Sequence, residues 1–506
     1  LGADGYYINA PVYYISGSYF STSGVSGSSF VAPQISAGIA IMAEAFPNQT
    51  PDQWTDRLLA SADNSFFTAT ATTSFANGIT HGYNTEFGHG IMDLNAALSP
   101  ITSSRMKESI LIGESLNNYE AHSLENSYLM TPKLFGDSLQ RHFQNTTGVF
   151  HDALHGNFKY QFSNSFISQQ SNNTVDQILN DHLNGYSFQD VAIKENSFKS
   201  SEGISFITKN TTNGYLSEIN SNSFANFVSI GEEQIYTSLN MPIEISTGFV
   251  SKDVSNNIIL NDGFANPFIP SNSFAFGTSM PLRDKERDIY VSFYNNEINE
   301  LENPSSGLVV TKKVLDEKDI SSSFMFGYNI EQNSFVGASS KGAFNQNNNT
   351  PTIFISHSFE KIINDKTDFS LISTLGRTQY NNSNTSTLLN DISPIISSSF
   401  GAVIKHDINL DDQITLKLSQ PHRLESGTTK ISIPQLNDID GSLNFNYESV
   451  KLNPSGRQID LSFRYDKEII EESMIISFEN ITSRDEGHIS SSQINNKSII
   501  SINYRF

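Results

Sequence analysis

Residues Ile459-Asp460-Leu461-Ser462-Phe463-Arg464-Tyr465-Asp466 alternate apolar and polar side chains one by one. Successive side chains of a β-strand point to opposite faces, so this period of two predicts a strand with one apolar face and one polar face. The same alternation recurs after about residue 203, at 289–294, 324–329, 414–419, 443–448 and 500–506. We therefore expect residues 203–506 to form an antiparallel β-sheet with turns rich in Asn, Asp, Gly and Pro.

The alternation is compatible with two ways of placing the apolar face. A soluble sandwich or solenoid turns it inward, whereas a transmembrane β-barrel turns it to lipid and keeps the polar face in the lumen. At about ten residues per strand plus turns, residues 203–506 supply about twelve strands, and bacterial barrels have even strand numbers. Tyr465, Tyr504 and Phe506 lie near strand ends, where aromatic girdles form. The final Tyr504-Arg505-Phe506 resembles the C-terminal strand that outer-membrane assembly machinery recognises, which favours the barrel.

The composition excludes several classes of function. The 506 residues include 31 Lys and Arg against 53 Asp and Glu, and the formal charge of −22 argues against binding nucleic acid through its phosphates. There is no cysteine, so neither a disulfide framework nor a thiolate metal site can form. No apolar run reaches the ~20 residues of a membrane-spanning helix. The sequence also lacks a calcium-loop spacing and a phosphate-binding Gly motif, so we expect no cofactor and no metal.

A second informative stretch is Gly27-Ser28-Ser29-Phe30-Val31-Ala32-Pro33. A loop rich in Ser and Gly precedes it, and a helix with an apolar face formed by Ile35, Ile39, Met42 and Phe46 follows it. Ser29 is thus predicted to lie at a helix N-terminus, where free N–H groups and the helix dipole favour an oxyanion. The alternative interpretation is that Ser28 or Ser29 only caps the helix.

This stretch, followed by Ala37-Gly38, resembles the nucleophile block of subtilisin-like serine proteases. The resemblance implies that Ser29 is the catalytic nucleophile. It departs from the usual block at Ser28, where Thr is common, and at Gln34, where His is frequent. A helix starting at Thr50-Pro51 and the block Phe87-Gly88-His89-Gly90 follow in the order of that family. The resemblance covers residues 1–100, an α/β piece equal to the C-terminal third of such a catalytic domain.

The resemblance also shows what this stretch of chain lacks. In the family the catalytic Asp, His and an oxyanion-binding Asn precede the serine, but only 28 residues precede Ser29 and none of them is His. Asp4 does not match the catalytic Asp motif. His81, His89, His142 and His151 all follow Ser29, and we expect His89 to be structural. We therefore expect the parent reading frame to extend upstream, and this fragment alone to be inactive.

Four further stretches resemble autotransporter-type proteases, in which a C-terminal barrel carries the protease outward. They are Leu134-Phe135-Gly136-Asp137-Ser138-Leu139, Phe150-His151-Asp152, residues 420–427 and residues 455–461. Together they imply a multi-domain chain: a partial α/β subtilisin-like domain at 1–100, a connector at 101–202 that is partly helical and partly extended, and an antiparallel β-barrel at 203–506. An Asn- and Ser-rich loop or flexible link is expected at 163–174.

The resemblance implies a serine endopeptidase acting on polypeptides at the cell surface of a Gram-negative-type bacterium. Its expected partners are outer-membrane lipid and the assembly machinery, and we expect a monomer. One alternative is a porin- or adhesin-type barrel with a degenerate, inactive protease remnant. A second alternative is a soluble protease with a β-sandwich accessory domain.

Overall fold

A computed structural model describes most of the chain. The described residues are 1–506 without 14–19, 76–78, 102–104, 108–120, 124–126, 169–192, 200–203, 212–222, 231–232, 240–242, 248, 251–265, 271–273, 281–288, 297–303, 347, 381–387, 437–442, 471–473, 491 and 505–506.

The first hundred residues form a small module of helices and strands. Its strands pair as two antiparallel hairpins, β1 (Ile8–Tyr13) with β2 (Phe20–Val25) and β3 (Ala71–Ser74) with β4 (Thr80–Tyr83). Its helices are α1 (Val31–Ala45), α2 (Pro51–Ala60) and α3 (Leu94–Leu98). α2 begins with a capping box in which Thr50 and Gln53 satisfy each other's backbone N–H groups.

The module has a small apolar core between its three helices. Met42, Phe46, Leu58 and Ala97 are buried there. Gly38 of α1 packs directly against Met92, so any larger side chain at Gly38 would collide with that sulfur. Helix α1, which follows Ser29, therefore packs on the segment that follows the Gly88-His89-Gly90 block.

The described part of the connector is folded. Strands β5 (Arg105–Lys107), β6 (Ala121–Ser123), β8 (Thr147–His151) and β9 (Asn157–Gln161) form one sheet in the order β6-β5-β8-β9. Between them lie β7 (Tyr128–Thr131) and α4 (Ser138–Phe143), and β10 (Phe166–Ser168) follows. Of the loop or flexible link expected at 163–174, residues 163–165 form a turn, whereas Phe166 is buried and Phe166–Ser168 form β10, so that part is ordered in a sheet. Residues 169–174 lie outside the described residues.

The rest of the described chain is dominated by one antiparallel sheet of fifteen strands. In sheet order these are β11 (Ile193–Lys199), β12 (Ile204–Thr211), β13 (Ser223–Ile230), β14 (Glu233–Leu239), β15 (Phe274–Met280), β16 (Ile289–Asn295), β17 (Ser305–Glu317), β18 (Ile320–Glu331), β20 (Thr350–Asn364), β21 (Thr367–Thr378), β23 (Ile395–Asp407), β24 (Asp412–Ser426), β27 (Ile459–Ile470), β28 (Met474–Arg484) and β29 (Asn495–Tyr504).

This sheet differs from the expected one in three respects. It has fifteen described strands instead of about twelve, because β11 and β14 to β16 are only seven residues long. It begins at Ile193, before the expected boundary at residue 203. The alternating stretch 443–448 lies in β26 (Leu443–Lys451), which pairs with β25 (Thr428–Leu436) in a separate sheet with β22 (Leu389–Asn390). Alternation marks any strand with two unlike faces, so it cannot assign a strand to a sheet.

The connections at the two ends of the large sheet are of very different lengths. At one end, residues 318–319, 365–366 and 408–411 are enough to join consecutive strands. At the other end the connections are long: 332–349, 379–394, 427–458 and 485–494. We call these the short-turn end and the long-loop end. Outer-membrane barrels have the same asymmetry, with short periplasmic turns and long extracellular loops.

The burial of the strands is inverted relative to a soluble protein. On β27, Leu461 and Phe463 are exposed while Ser462 and Arg464 are buried. We call the exposed apolar face of the sheet its outer face and the buried face its inner face. Other outer-face residues include Phe293, Phe326, Ile353, Leu375, Ile404, Leu416 and Ile500, and other inner-face residues include Ser292, Ser323, Ser356, Thr374, Ser399, Thr415 and Ser477. A sandwich buries its apolar face, so the inversion excludes it for this sheet and matches a transmembrane barrel wall.

The inner face is covered in part by the connection between β14 and β15. Its described residues 243–247, 249–250 and 266–270, the inner segment, include the short helix α5 (Ile243–Ser246). Phe268 stacks on Phe354 of β20, with 5.2 Å between ring centroids, and lies so close to Gly376 that a side chain at that position would overlap the Phe268 ring. Asn266 Nδ2 donates to Ser356 Oγ (3.0 Å), and Tyr294 OH donates to the Phe268 carbonyl oxygen (3.2 Å).

The connector and the long loops form a folded cap at the long-loop end. β19 (Ser339–Lys341), from the loop after β18, pairs with β7, and β7 pairs with β10. The apolar core of the cap contains Leu129, Leu134, Phe135, Leu139, Phe143, Phe162 and Phe166 from the connector and Phe335, Phe344, Tyr380, Leu388, Ile392, Ile431, Val450 and Leu452 from the loops. The connector is therefore held on the loops as part of one core.

Placing a charge on the outer face tests the inverted polarity. We expect Phe463→Arg to destabilise the folded protein in lipid vesicles by about 2–4 kcal/mol, because Phe463 lies in the middle of β27 on the exposed apolar face, where a barrel wall meets lipid. The matched control, Phe463→Leu, keeps the site apolar and should change little. Urea unfolding in phosphatidylcholine vesicles, followed by heat-modifiable gel migration, measures both. Equal stability of the two variants would mean that this face meets water.

Candidate functional site

Ser29 lies on the surface, at the turn that leads into α1. Ser28–Phe30 form one 3₁₀ turn, α1 follows at Val31, and Ser29 is exposed. The N-cap of α1 is Phe30, and no side chain caps the helix, so the capping interpretation of Ser28 and Ser29 is not what the structure shows. The hydroxyl of Ser29 is thus accessible at the start of a helix, as a nucleophile requires.

Gln34, which stands where the family often has His, fastens this turn to the N-terminal segment. Its Nε2 donates to the carbonyl oxygens of Asp4 (2.6 Å) and Phe30 (2.9 Å). The backbone N–H of Gly27 donates to the Gly5 carbonyl oxygen (2.9 Å). Asp4 itself accepts from the Tyr6 N–H (2.9 Å), which is the role of a turn-stabilising carboxylate.

The described histidines of this module are used structurally. His81 Nδ1 and His89 Nδ1 are 3.2 Å apart, and His81 Nε2 lies 2.9 Å from the Ala62 carbonyl oxygen. His89 also stacks on Tyr83. The pKa of His89 is lowered, mainly by burial and to a smaller extent by the neighbouring His81. His142 lies in the cap, 3.1 Å from Glu448. These contacts engage the rings elsewhere than at Ser29, so they provide no general base for it.

A buried ion pair joins the module of residues 1–100, which we call the Ser29 module, to the connector. Arg57 of α2 and Asp152 after β8 are 2.7 Å apart, and both side chains are fully buried. Asp152 also accepts from the N–H groups of Ile101, Leu154 and Gly156, and Arg57 donates to the Ala97 carbonyl oxygen (2.6 Å). A buried pair with this many hydrogen bonds is costly to break, because either partner alone would be an uncompensated charge.

The guanidinium of Arg57 is also held between two aromatic rings. Its Cζ lies 4.2 Å from the ring centroid of Phe46 and 5.2 Å from that of Phe158, so one ring comes from the module and one from the connector. The signal for Arg57 in the sequence is weak: it lies on the same side of α2 as Trp54 and Leu58. Asp152 belongs to one of the autotransporter-like stretches, residues 150–152, but a local pattern does not name its partner.

The other stretches that resemble autotransporter-type proteases meet at the long-loop end. Ser455 donates from its N–H and its hydroxyl to the two carboxylate oxygens of Asp137 (3.0 and 2.8 Å). Arg423 donates to the carbonyl oxygens of Gly456 (2.9 Å) and Pro454 (3.2 Å). Residues 134–139, 420–427 and 455–461 are therefore joined into one polar junction between the connector and the sheet.

Glu425 and His488 complete this junction. Glu425 accepts from Arg423 (2.7 Å) and from Arg457 (2.6 Å). The Gln458 N–H donates to His488 Nδ1 (3.0 Å), and His488 Nε2 lies 3.0 Å from the His422 carbonyl oxygen. Burial lowers the pKa of His488 to about 4, so its ring stays neutral at pH 7 and Nδ1 remains an acceptor.

Of the aromatic side chains expected near strand ends, only that of Tyr465 lies within the described part of the chain. Tyr465 donates from its OH to Asp412 (2.6 Å) at the short-turn end, where an interfacial aromatic residue was expected. The side chain of Tyr504 and the whole of Phe506 lie outside the described residues. Within the described ranges no helix is long and apolar enough to span a bilayer, and no three His, Asp or Glu side chains are grouped as metal ligands.

Comparison with known proteins adds little to these contacts. No family model matches the sequence, and no curated protein sequence matches it significantly. Among solved structures, OmpT of Vibrio cholerae is similar, with 9% identity and a TM-score of 0.34 over 61% of this chain and 87% of that one. An anion-selective porin from Comamonas acidovorans has 9% identity and a TM-score of 0.37 over the same shares. TM-scores this low do not show a shared function, so the function has to be inferred from the chain's own residues.

Removing Arg57 tests the link between the Ser29 module and the connector. We expect Arg57→Met to destabilise the module by about 3–5 kcal/mol, since Asp152 would be left as a buried charge. Trp54, the single tryptophan of the chain, lies on the same helix, so its fluorescence during urea unfolding reports the module. The control is Arg141→Met, which breaks the half-exposed pair with Asp137 and should cost about 0–1 kcal/mol. Similar losses in both variants would contradict a special role for the Arg57 pair.

Proposed function

We propose that the chain is the C-terminal part of a surface-anchored serine endopeptidase of the subtilisin-like, autotransporter-type class. The large sheet is the outer-membrane barrel, and the cap holds the Ser29 module above its extracellular end. The observation that carries the proposal is the position of the connector. It packs on the long loops, at the end that faces outward in outer-membrane barrels, and the Ser29 module is attached to it through Arg57 and Asp152.

The proposed chemistry is acyl transfer by Ser29. Its hydroxyl attacks a peptide carbonyl, a histidine accepts the proton and later returns it to the leaving amine, and an aspartate orients that histidine. Ser29 is accessible at the start of α1, where backbone N–H groups favour the oxyanion. His81, His89 and His142 are engaged elsewhere, and the proposal takes the His and Asp from polypeptide upstream of Leu1. The substrate class is polypeptide, and the specificity pockets belong to that upstream part.

Labelling with a fluorophosphonate tests the role of Ser29. In the protein expressed from its complete reading frame we expect one labelled serine, with labelling lost in Ser29→Ala and retained in the neighbouring control Ser28→Ala. The 506-residue chain alone should not be labelled, because loss of the histidine from a triad lowers turnover by about 10⁶-fold. A Ser29-dependent burst from the chain alone, or equal labelling of both variants, would refute the assignment.

A porin-type function is the second candidate, favoured by the polar inner face of the sheet. Rows of inner-face Ser and Thr, such as Ser292, Ser323 and Thr415, are typical of a barrel lumen. The inner segment argues against an open channel, because Phe268 and Asn266 occupy the space beside β20 and β21. An anchor needs no aqueous path, whereas a porin does.

Shortening the inner segment distinguishes the two candidates. Leu239 and Phe274 are register partners on β14 and β15, so a short Gly-Ser turn can replace residues 241–272 without moving either strand. We expect the intact chain to conduct poorly in planar bilayers and the shortened chain to conduct at least several-fold better. Heat-modifiable migration confirms folding of both. A large steady conductance of the intact chain would favour the porin.

A further inference from the structure

The outer face of the sheet has a groove that extends from mid-strand towards the long-loop end. A cavity of 370 Å³ is lined by the apolar side chains Phe324, Ile355, Leu375 and Phe400, together with His357 and Ser373. The strand register places these residues next to one another: His357 lies opposite Phe324 on one side and opposite Ser373 on the other, and Ser373 lies opposite Phe400. The groove therefore runs across β18, β20, β21 and β23.

The groove exists because small side chains lie among the large apolar side chains of the outer face. Ser373 and Ser398 occupy outer-face positions between Leu375 and Phe400, so the wall is thinner there. The register between β23 and β24 also shifts at Ile396/Ser397 and at Ser398/Phe400. Such irregularities bend a strand locally and open the wall beside it. The result is a depression in a surface that otherwise presents bulky apolar residues to its surroundings.

Two arginines lie on the side of the groove that faces the long loops. Arg457 lines the cavity, and 46% of its side chain is exposed although it also binds Glu425. Arg377 is exposed on the outer face of β21, two residues beyond Leu375 towards the long-loop end. Its register partners Ile353 and Ile396 are exposed apolar residues. A guanidinium surrounded by apolar side chains is stable where it contacts an anionic group or the headgroup layer of the lipids.

The local charge contrasts with that of the whole chain. The side chains of Arg423 and Arg457 both bind Glu425, and Asp485 accepts from the Arg457 N–H (3.4 Å). With Arg377 added, three arginines stand against these two carboxylates, so the patch keeps a net positive charge, whereas the chain as a whole carries −22. A positive edge directly above an apolar groove is complementary to a molecule with an anionic head and a hydrocarbon tail. Arginine also binds phosphate oxygens with two parallel hydrogen bonds.

We propose that this groove binds an acyl chain of a phosphorylated lipid in the outer leaflet, with the lipid phosphate held by Arg377 and Arg457. This inference rests on the proposed function in one respect, the placement of the sheet in an outer membrane with its long loops outside. It gives the junction of residues 420–427 and 455–461 a role besides attachment of the connector, since Glu425 orients Arg457 towards the groove.

Native mass spectrometry of the full chain in nonionic detergent tests the inference. The probe is lipid A, an acylated and phosphorylated glucosamine disaccharide, compared with phosphatidylcholine and with inorganic phosphate. We expect one lipid A to bind, phosphatidylcholine to bind more weakly, and inorganic phosphate alone not to bind. The double variant Arg377→Gln, Arg457→Gln should lose about tenfold in affinity for lipid A, as expected for lost charge-assisted hydrogen bonds.

Two single variants separate the groove from general charge effects. Ser373→Leu fills the groove and leaves both arginines in place, so it should weaken lipid A binding as well. Lys361→Gln removes a positive charge from the outer face of strand β20 but at its short-turn end, and it should not change binding. Unchanged binding by the double variant and Ser373→Leu, or equal binding of phosphatidylcholine, would overturn the inference.

Heat-modifiable migration of the same samples distinguishes this failure from failure of the proposed function. If the chain migrates as a folded barrel but the variants do not change lipid A binding, the membrane placement stands and the lipid site in the groove is refuted. If the chain shows no heat-modifiable form in any detergent, both the membrane placement and the lipid site are refuted.

Discussion

The outer face of the large sheet is apolar, its inner face carries buried Ser, Thr and charged side chains outside the apolar patch beneath the inner segment, and the rest of the structure depends on this inversion. Apolar side chains on the outer face gain nothing from water, so the sheet is stable where hydrocarbon surrounds it. Backbone N–H and C=O groups cannot be left unpaired in hydrocarbon, and the antiparallel ladder from β11 to β29 pairs them strand by strand. Because neighbouring strands run antiparallel, alternate connections lie at the same end, and the long ones build the cap there.

The attachment of the Ser29 module relies on a different kind of interaction. Arg57 and Asp152 form an ion pair in a dry site between helix α2 and the connector, surrounded by Phe46 and Phe158. Such a pair contributes modest net stability, but removing one partner is expensive, which makes the contact specific. Elsewhere on the connector, Asp137 binds Ser455. The connector is thus fixed by two carboxylates and by the apolar core of the cap.

The same few residues of the long-loop end serve several parts of the molecule. Arg423 fixes the segment before β27, Glu425 joins Arg423 to Arg457, and Arg457 reaches the edge of the outer-face groove. Phe268 of the inner segment meets His422 edge to face, at 5.0 Å between ring centroids. The cap, the large sheet and the inner segment therefore share one junction. A substitution at this junction is expected to affect both faces of the sheet.

The sequence by itself determined the local features: the alternating strands, the helix that starts at Thr50-Pro51, and a serine at the start of a helix. Each depends on neighbours a few residues apart, so a periodic pattern reports it. Only the tertiary structure decided that β26 leaves the large sheet, that the apolar faces point outward, and that Arg57 meets Asp152. The physical reason is that a period of two is the same for either orientation of a strand. Which face is buried depends on contacts between segments far apart in the chain, and no local pattern records those contacts.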